Sequence, residues 1–237
     1  MLISHEYQFI FIKTRKTAGT SIEVALSRYL GPWDVITPIS PSDELARMQM
    51  GIIPRNYLIP RHTYPSHSAV DERGIAQMLK KVEVERKFYN HCPASEIRAV
   101  VGERIWNSYT KFCFERNPYE RVVSEYYFQQ SRNPERYEQM TLEQFVAEGA
   151  YSLNYPLYYV QGQLQVDFVG RYESLETDLQ QICAQIGIPY DGWLPQMKGK
   201  TRTDRRPATE LLSPTAIQSI ANSCALEFEL LKQSRSA

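Results

Sequence analysis

Residues 9–27 read FIFIKTRKTAGTSIEVALS, and few architectures accommodate that order. Phe9 to Ile12 is short, apolar and β-prone, the pattern of a buried strand. Ile22, Ala25, Leu26 and Tyr29 recur at helical spacing, so an amphipathic helix follows, with Thr20 or Ser21 as its N-cap. Between strand and helix lie Lys13, Arg15 and Lys16, then Thr17, Ala18, Gly19, Thr20 and Ser21. This order places positive side chains and unpaired backbone N–H groups in one spot, which suits a phosphate-like anion. It is not a Walker A loop, because G-x-x-x-x-G-K-[ST] is absent and Gly19 is the only glycine in the segment.

The rest of the chain alternates strand and helix signals. TKFCFE (110–115) and VDFVGR (166–171) read as strands. Helices are expected from about Ile75 to Phe88, over PASEIRAVVGERIW, and over NPYERVVSEYYFQQ with Asn117 as cap and Pro118 at the first helical position. Thr141 and Gln144 form a capping box. SLETDLQQICAQIG is a helix stopped by Gly187, and a last helix opens at Ser213-Pro214 and carries Ile217, Ile220, Cys224 and Phe228. This alternation predicts an α/β fold: a single P-loop-like domain over residues 1–237, with a mostly parallel central sheet flanked by helices. The Pro-rich stretch at about 31–86 is too long for a plain connection and reads as an insertion.

Charge restricts the possible partners. Lys plus Arg equals Asp plus Glu at 27 each, so no global field draws the chain to nucleic acid or a membrane, and anion recognition must be local. The four cysteines, Cys92, Cys113, Cys183 and Cys224, form no C-x-x-C pair, which reads as buried thiols rather than structural zinc. With no leader-like segment at MLISHEYQF, the expectation is a reduced, cytoplasmic protein.

A second anion-binding constellation lies in KFCFERNPYERVVSEYYF. Arg116 ends a predicted strand and Ser124 falls inside the following helix; Arg121 and Ser124, three apart, share a helix face. A guanidinium fork plus a hydroxyl is a phosphate grip.

Together, KTRKTAGTS and FERNPYERVVSEYY resemble the sulfotransferase superfamily, most closely its carbohydrate-type branch with heparan sulfate 2-O-sulfotransferases and small bacterial relatives. The resemblance covers most of the chain outside residues 31–86. It implies 3′-phosphoadenosine 5′-phosphosulfate (PAPS) as co-substrate, no metal, and an acceptor hydroxyl, that of a glycan or small glycoside. It further implies that residues Arg15 to Ser21 cradle the 5′-phosphosulfate, that Lys16 faces the leaving oxygen, and that Arg116 and Ser124 hold the 3′-phosphate. Lys200, Thr201 and Arg202, in KGKTRTDRR, resemble a basic loop that closes over the cofactor, although a solvated loop fits them equally. Two positions depart from the family pattern: Arg15 stands where relatives usually carry proline, and Glu115 where they often carry valine.

In-line transfer to a hydroxyl needs a base. His91, in a stretch that resembles H-x-x-A-x-E-I-R of bacterial relatives, is the first candidate, with a side chain that titrates near neutrality; His62 and His67 are rivals, and His5 reads as a surface residue. The tyrosines of AYSLNYPLYYVQGQ read mostly as core. A P-loop-type nucleotide kinase and a nucleotide-binding module without catalysis are the competing readings.

Overall fold

Alternation along the central strands decides which layers form. In the computed structural model, which describes residues 1–61, 83–197 and 201–233, strand β1 is Leu2–Ser4 and β2 is Phe9–Phe11. Phe9 and Phe11 point to one side of the sheet, where they pack with Ile22 and Leu26 of helix α1 (Gly19–Ser27); Ile10 and Ile12 point to the other. Burial on both faces is what a central strand of an α/β sheet requires.

Next along the chain come β3 (Val35–Ile36), α2 (Pro41–Met48), an antiparallel pair β4 (Leu58–Arg61) and β5 (Glu83–Arg86), α3 (Ala94–Ser108), β6 (Thr110–Glu115) and α4 (Pro118–Arg132). Short helices α5 (Pro134–Tyr137), α6 (Leu142–Ala147) and α7 (Tyr155–Tyr158), and the paired β7 (Tyr159–Val160) and β8 (Gln163–Leu164), lead to β9 (Phe168–Arg171). The chain finishes with α8 (Leu175–Gln185), α9 (Ala208–Leu211), α10 (Pro214–Ser223) and α11 (Ala225–Gln233).

The main sheet has five strands in the order β3-β1-β2-β6-β9. β2, β6 and β9 run parallel, with Phe11 beside Phe112 and Glu115 beside Arg171; β1 is antiparallel to both β2 and β3. The architecture is thus the expected α/β fold, a parallel core extended on one edge by the antiparallel β1 and, beyond it, by β3, which runs in the direction of the core strands. α1 and α8 cover the phenylalanine face, whereas α3, α7 and α11 contribute Ile97, Trp106, Leu157, Tyr158 and Leu230 to the other. Helices α4, α6 and α10 share a third apolar cluster around Phe145 and Ile220.

Helix punctuation follows the sequence in several places. Asn117 Oδ1 accepts from the N–H of Tyr119 and Glu120, and Thr141 and Gln144 close a reciprocal capping box. Gly187 stops α8 with φ 78°, and all four cysteines are free and buried. Elsewhere the expectations need correction. Residues 83–86 form a strand, not the end of a helix, and the earlier part of that expected helix lies outside the described residues. Gly102, at φ 77° and ψ 164°, breaks the helical path inside α3. The last helix is divided at Cys224, whose backbone leaves the helical region and separates α10 from α11.

Gly170 sets the close contact between β9 and β6. A Cβ there would lie 2.3 Å from Cε1 of Phe114, whose ring crosses the glycine. Gly170→Ala should therefore lower the unfolding free energy by roughly 1–3 kcal/mol, the usual cost of overpacking. Denaturant titration measures it, and an unchanged midpoint would show that the Phe114 ring moves freely.

Candidate active site

The carboxyl ends of the three parallel strands all open on one side of the sheet, where ligands of open α/β sheets bind. β2 runs into the loop 12–18, β6 into Arg116, and β9 into the 3₁₀ turn Tyr172–Ser174. These segments, with residues 194–197 and Thr201, Arg202 and Arg205, line one cleft of about 970 Å³.

In the first segment, Lys16 (φ 61°) and Ala18 (φ 60°) are left-handed. Such conformations cost an L-residue about 1–2 kcal/mol, and alternating them with ordinary residues turns successive N–H groups toward a common centre. Ala18, not Thr20 or Ser21, is the N-cap of α1, and no side chain caps that end. The first turn holds no acidic residue either. Thr20 and Ser21 instead sit within the first turn and line the cleft, so the helix start leaves its N–H groups and positive dipole end to a ligand. Thr17 turns inward, its hydroxyl 2.8 Å from that of Thr14, whose own hydroxyl donates to the Phe114 carbonyl.

The three cations of this loop have different surroundings. Lys13 is buried and paired with Glu23. Burial alone would push the Glu23 carboxyl up, but Lys13 and the amino group of Met1 beside it hold it at about 2. Gly19 makes room for the Lys13 stem, since a Cβ would come 2.6 Å from Lys13 Cγ. Lys16 lines the cleft with its ammonium 4.1 Å from the centre of the Phe128 ring. Arg15 lines the same cleft and also a neighbouring hollow of about 550 Å³, together with Tyr89, His91, Pro93, Ser152, Leu153, Pro156 and Leu157.

The second segment brings Arg116 and Ser124 into the lining of the same cleft. The Arg116 guanidinium stacks 4.1 Å from the Tyr172 ring centre and stands 3.5 Å from Glu120, and its buried Nε has no hydrogen-bond partner among the described residues. Burial pulls its pKa down, so an arriving anion would relieve a desolvated charge. Arg202 donates to Glu120 over 2.6 Å, which brings the basic loop to the same cleft; Thr201 lines it too, and Lys200 lies outside the described residues. Arg121 does not join Ser124 there. It is fully buried, 3.7 Å from Glu227, and donates to the Ser152 carbonyl. Three residues along a helix leave two side chains about 60° apart around its axis, so one can turn inward while its neighbour borders the cleft.

His91, with φ 59°, borders both hollows. Its Nδ1 lies 3.0 Å from the Lys13 carbonyl oxygen. A carbonyl can only accept, so Nδ1 carries the hydrogen and Nε2 keeps its lone pair. Burial, then the nearby charges of Lys13 and Arg15, pushes the imidazole pKa down to about 3, well below the near-neutral value expected from the sequence. The ring is therefore neutral. His62 and His67 lie outside the described residues, and His5 is exposed beside Tyr109.

Three groups in this region were not singled out by sequence: Asn154, Tyr172 and the 194–197 wall, where the Met197 N–H donates to Ser21 Oγ over 3.3 Å. Tyr172 directly follows a strand end, a signal available in the sequence.

The chain matches the Sulfotransferase family over residues 1–232. It is similar to an uncharacterised protein of Archaeoglobus fulgidus, 35% identical over 102 residues that make up 41% of this chain and 83% of that one. It is also similar to the crystal structure of a sulfotransferase from Alicyclobacillus acidocaldarius, at 18% identity and a TM-score of 0.40 over 92% of this chain and 91% of that one. Among the described residues, no helix is long and apolar enough to cross a membrane.

Proposed function

Because the chain belongs to the sulfotransferase family, a family of PAPS-dependent transferases, we propose that it moves the sulfuryl group of PAPS to an acceptor hydroxyl of a glycan or small glycoside, with His91 as base. The observation that carries this reading is the convergence of both anion-binding segments, His91 and Arg202 on one cleft of about 970 Å³. That volume suits a nucleotide. The uncapped start of α1 and the orphaned Nε of Arg116 are both groups that a phosphate satisfies.

Bound PAPS supplies the sulfuryl group and a phosphate leaving group. The backbone N–H groups at the start of α1, with the Thr20 and Ser21 hydroxyls, hold the 5′-phosphate; Arg116 and Ser124 hold the 3′-phosphate. Lys16 stabilises charge that builds on the leaving oxygen. His91 accepts the acceptor's proton at Nε2, while the Lys13 carbonyl keeps Nδ1 protonated and the ring oriented. The acceptor takes the neighbouring hollow of about 550 Å³ that His91 also borders, where Tyr89 offers aromatic surface to a sugar and Arg15 a polar contact. Residues 1–237 act as one domain in this scheme, with 31–86 as its insertion.

The test is an assay with PAPS against an acceptor library of glycosides and oligosaccharides. Sulfated product is expected from at least one glycoside; product from phenols or amines alone would move the acceptor to another class. A second expectation concerns Arg116. Arg116→Ala should weaken 3′-phosphoadenosine 5′-phosphate by about 1.5–3 kcal/mol, the worth of a charge-assisted contact, and leave adenosine 5′-phosphosulfate nearly unchanged. Equal weakening of both, by calorimetry, would remove Arg116 from the 3′-phosphate.

A further inference from the structure

The two phosphate-binding segments come from strands far apart in sequence, yet a short chain of hydrogen bonds through two buried side chains joins them. Asn154 faces the backbone of Arg15 as a strand partner would: its Oδ1 accepts from the Arg15 N–H over 2.9 Å, and its Nδ2 donates to the Arg15 carbonyl over 3.1 Å. The same Nδ2 reaches Oε2 of Glu115 at 3.3 Å, and that oxygen also accepts from the Arg116 N–H over 3.1 Å. The links thus run from the residue before Lys16, through Asn154 and Glu115, to the backbone of Arg116. Asn154 and Glu115 are both fully buried.

The support beneath Asn154 is itself charged. Its N–H and that of Tyr155 donate to Glu227 Oε1, over 3.0 and 3.3 Å. Ser152 donates to Glu125 from both its N–H and its hydroxyl, and its carbonyl accepts from Arg121. Arg121 stands 3.7 Å from Glu227 and 4.0 Å from Glu125, so one guanidinium holds both carboxylates under residues 152–155. Glu115 joins this ground at an evident cost, because its Oε1 is buried with no hydrogen-bond partner among the described residues. An apolar residue at the end of β6 would avoid that cost and break the link.

We propose that Asn154 and Glu115 form a positioning bridge that fixes the spacing between the 5′-phosphosulfate loop and the 3′-phosphate grip. The bridge rests on the assignment of those two grips made above. Neither residue needs to touch the nucleotide. A ligand with two phosphates gains from the second only if the second site already stands at the right distance, since the gain is that of an intramolecular contact. Where the spacing is loose, each grip still takes its own phosphate but the two no longer reinforce each other. Burial pushes the Glu115 carboxyl up to about 7, against the pull of Arg121 and with the push of Glu227. A glutamine keeps an amide oxygen that can accept both bonds.

The experiment compares calorimetric affinities for adenosine 5′-monophosphate, adenosine 3′-monophosphate and 3′-phosphoadenosine 5′-phosphate in the wild type, Asn154→Ala, Glu115→Ala and Glu115→Gln. The quantity read is the factor by which a 3′-phosphate improves the 5′-monophosphate. Asn154→Ala and Glu115→Ala should each cut this factor roughly 10-fold or more, while each monophosphate stays within about 2-fold of wild type and Glu115→Gln keeps the factor. A general loss of structure would weaken all three nucleotides in parallel, and that result overturns the bridge. So does a factor that survives in both alanine variants. A wild type with no such factor overturns the assignment of the two grips, and the bridge with it; a wild-type factor that survives the substitutions overturns the bridge alone. The two alanine variants remove different links, so either one that folds decides the matter.

Discussion

Replacing His91 with alanine should lower kcat by roughly 10²–10⁴-fold, the usual worth of a positioned general base, with the nucleotide affinity close to wild type. Among the described residues the ring holds one hydrogen bond, to the Lys13 carbonyl, and its loss is tolerable for the fold. The backbone adds a control, since His91 has φ 59° and asparagine is among the residues that accept this region most readily. His91→Asn should fold at least as well as His91→Ala and still fail to restore the rate, because an amide cannot take the proton. The pH dependence follows from the direction of the shift. In the free protein the imidazole is held down at about 3, so its protonated form gathers only as the pH falls toward that value. The pH profile of kcat/KM for PAPS should therefore stay flat through mildly acid pH, with its falling limb well below the ordinary histidine range. Bound phosphosulfate offsets Lys13 and Arg15, so the limb in kcat should lie at higher pH than the limb in kcat/KM. Both limbs should vanish from the residual activity of His91→Asn. Full activity in His91→Ala, with loss in His62→Ala or His67→Ala, would transfer the role to the RHTYPSHS stretch.

Lys16→Ala should lower kcat by about 10²–10³-fold, as removal of an oxyanion stabiliser does, and raise the dissociation constant of 3′-phosphoadenosine 5′-phosphate only a few-fold. Its charge matters most as the leaving oxygen becomes negative, so the loss belongs to the transition state. Position in the loop supports the split. Lys16 lines the cleft from a left-handed backbone, whereas Arg15 is tied by both backbone groups to Asn154 and borders the neighbouring hollow. Arg15→Ala should be the milder change and should appear in the KM of the acceptor. If Arg15→Ala proves the more damaging in single-turnover measurements, the leaving-group cation has been assigned to the wrong residue.

The strand–loop–helix opening was legible because period-2 and period-3.6 patterns meet across the basic turn, and the same holds for β6 and α4. Sequence could not place the helix N-cap, because Ala18 performs it by backbone geometry and without a side-chain hydrogen bond. It could not separate Arg121 from Ser124, since both fit the local spacing and only the carboxylates of Glu125 and Glu227, distant in the chain or on the same helix, decide which one turns inward. β1 and β3 were missed because Leu2–Ser4 and Val35–Ile36 are as short as β2 or shorter and lack the four-residue apolar run, followed by a basic turn and helix, that made β2 readable. Asn154 was hidden in a tyrosine-rich stretch that reads as core, and Tyr158 is indeed fully buried there. Its partners, Arg15 and Glu115, stand 139 and 39 residues away, beyond any local pattern. Glu115 gave a signal in the sequence, an acid at a position that resembles an apolar one in relatives, but its use emerges only from the hydrogen bonds around it.

If both grips are assigned to the right phosphates, the cleft should favour a nucleotide with separate 5′ and 3′ phosphates over a nucleoside triphosphate. The most direct measurement is a calorimetric titration of the wild-type protein with 3′-phosphoadenosine 5′-phosphate and, separately, with ATP and Mg²⁺. Tight binding of the 3′,5′-bisphosphate is expected, at least about 10-fold tighter than adenosine 5′-monophosphate, with weak binding of ATP that magnesium does not improve. ATP–Mg²⁺ binding as tightly as the bisphosphate, or tighter, would contradict that assignment and favour a phosphoryl-transfer enzyme.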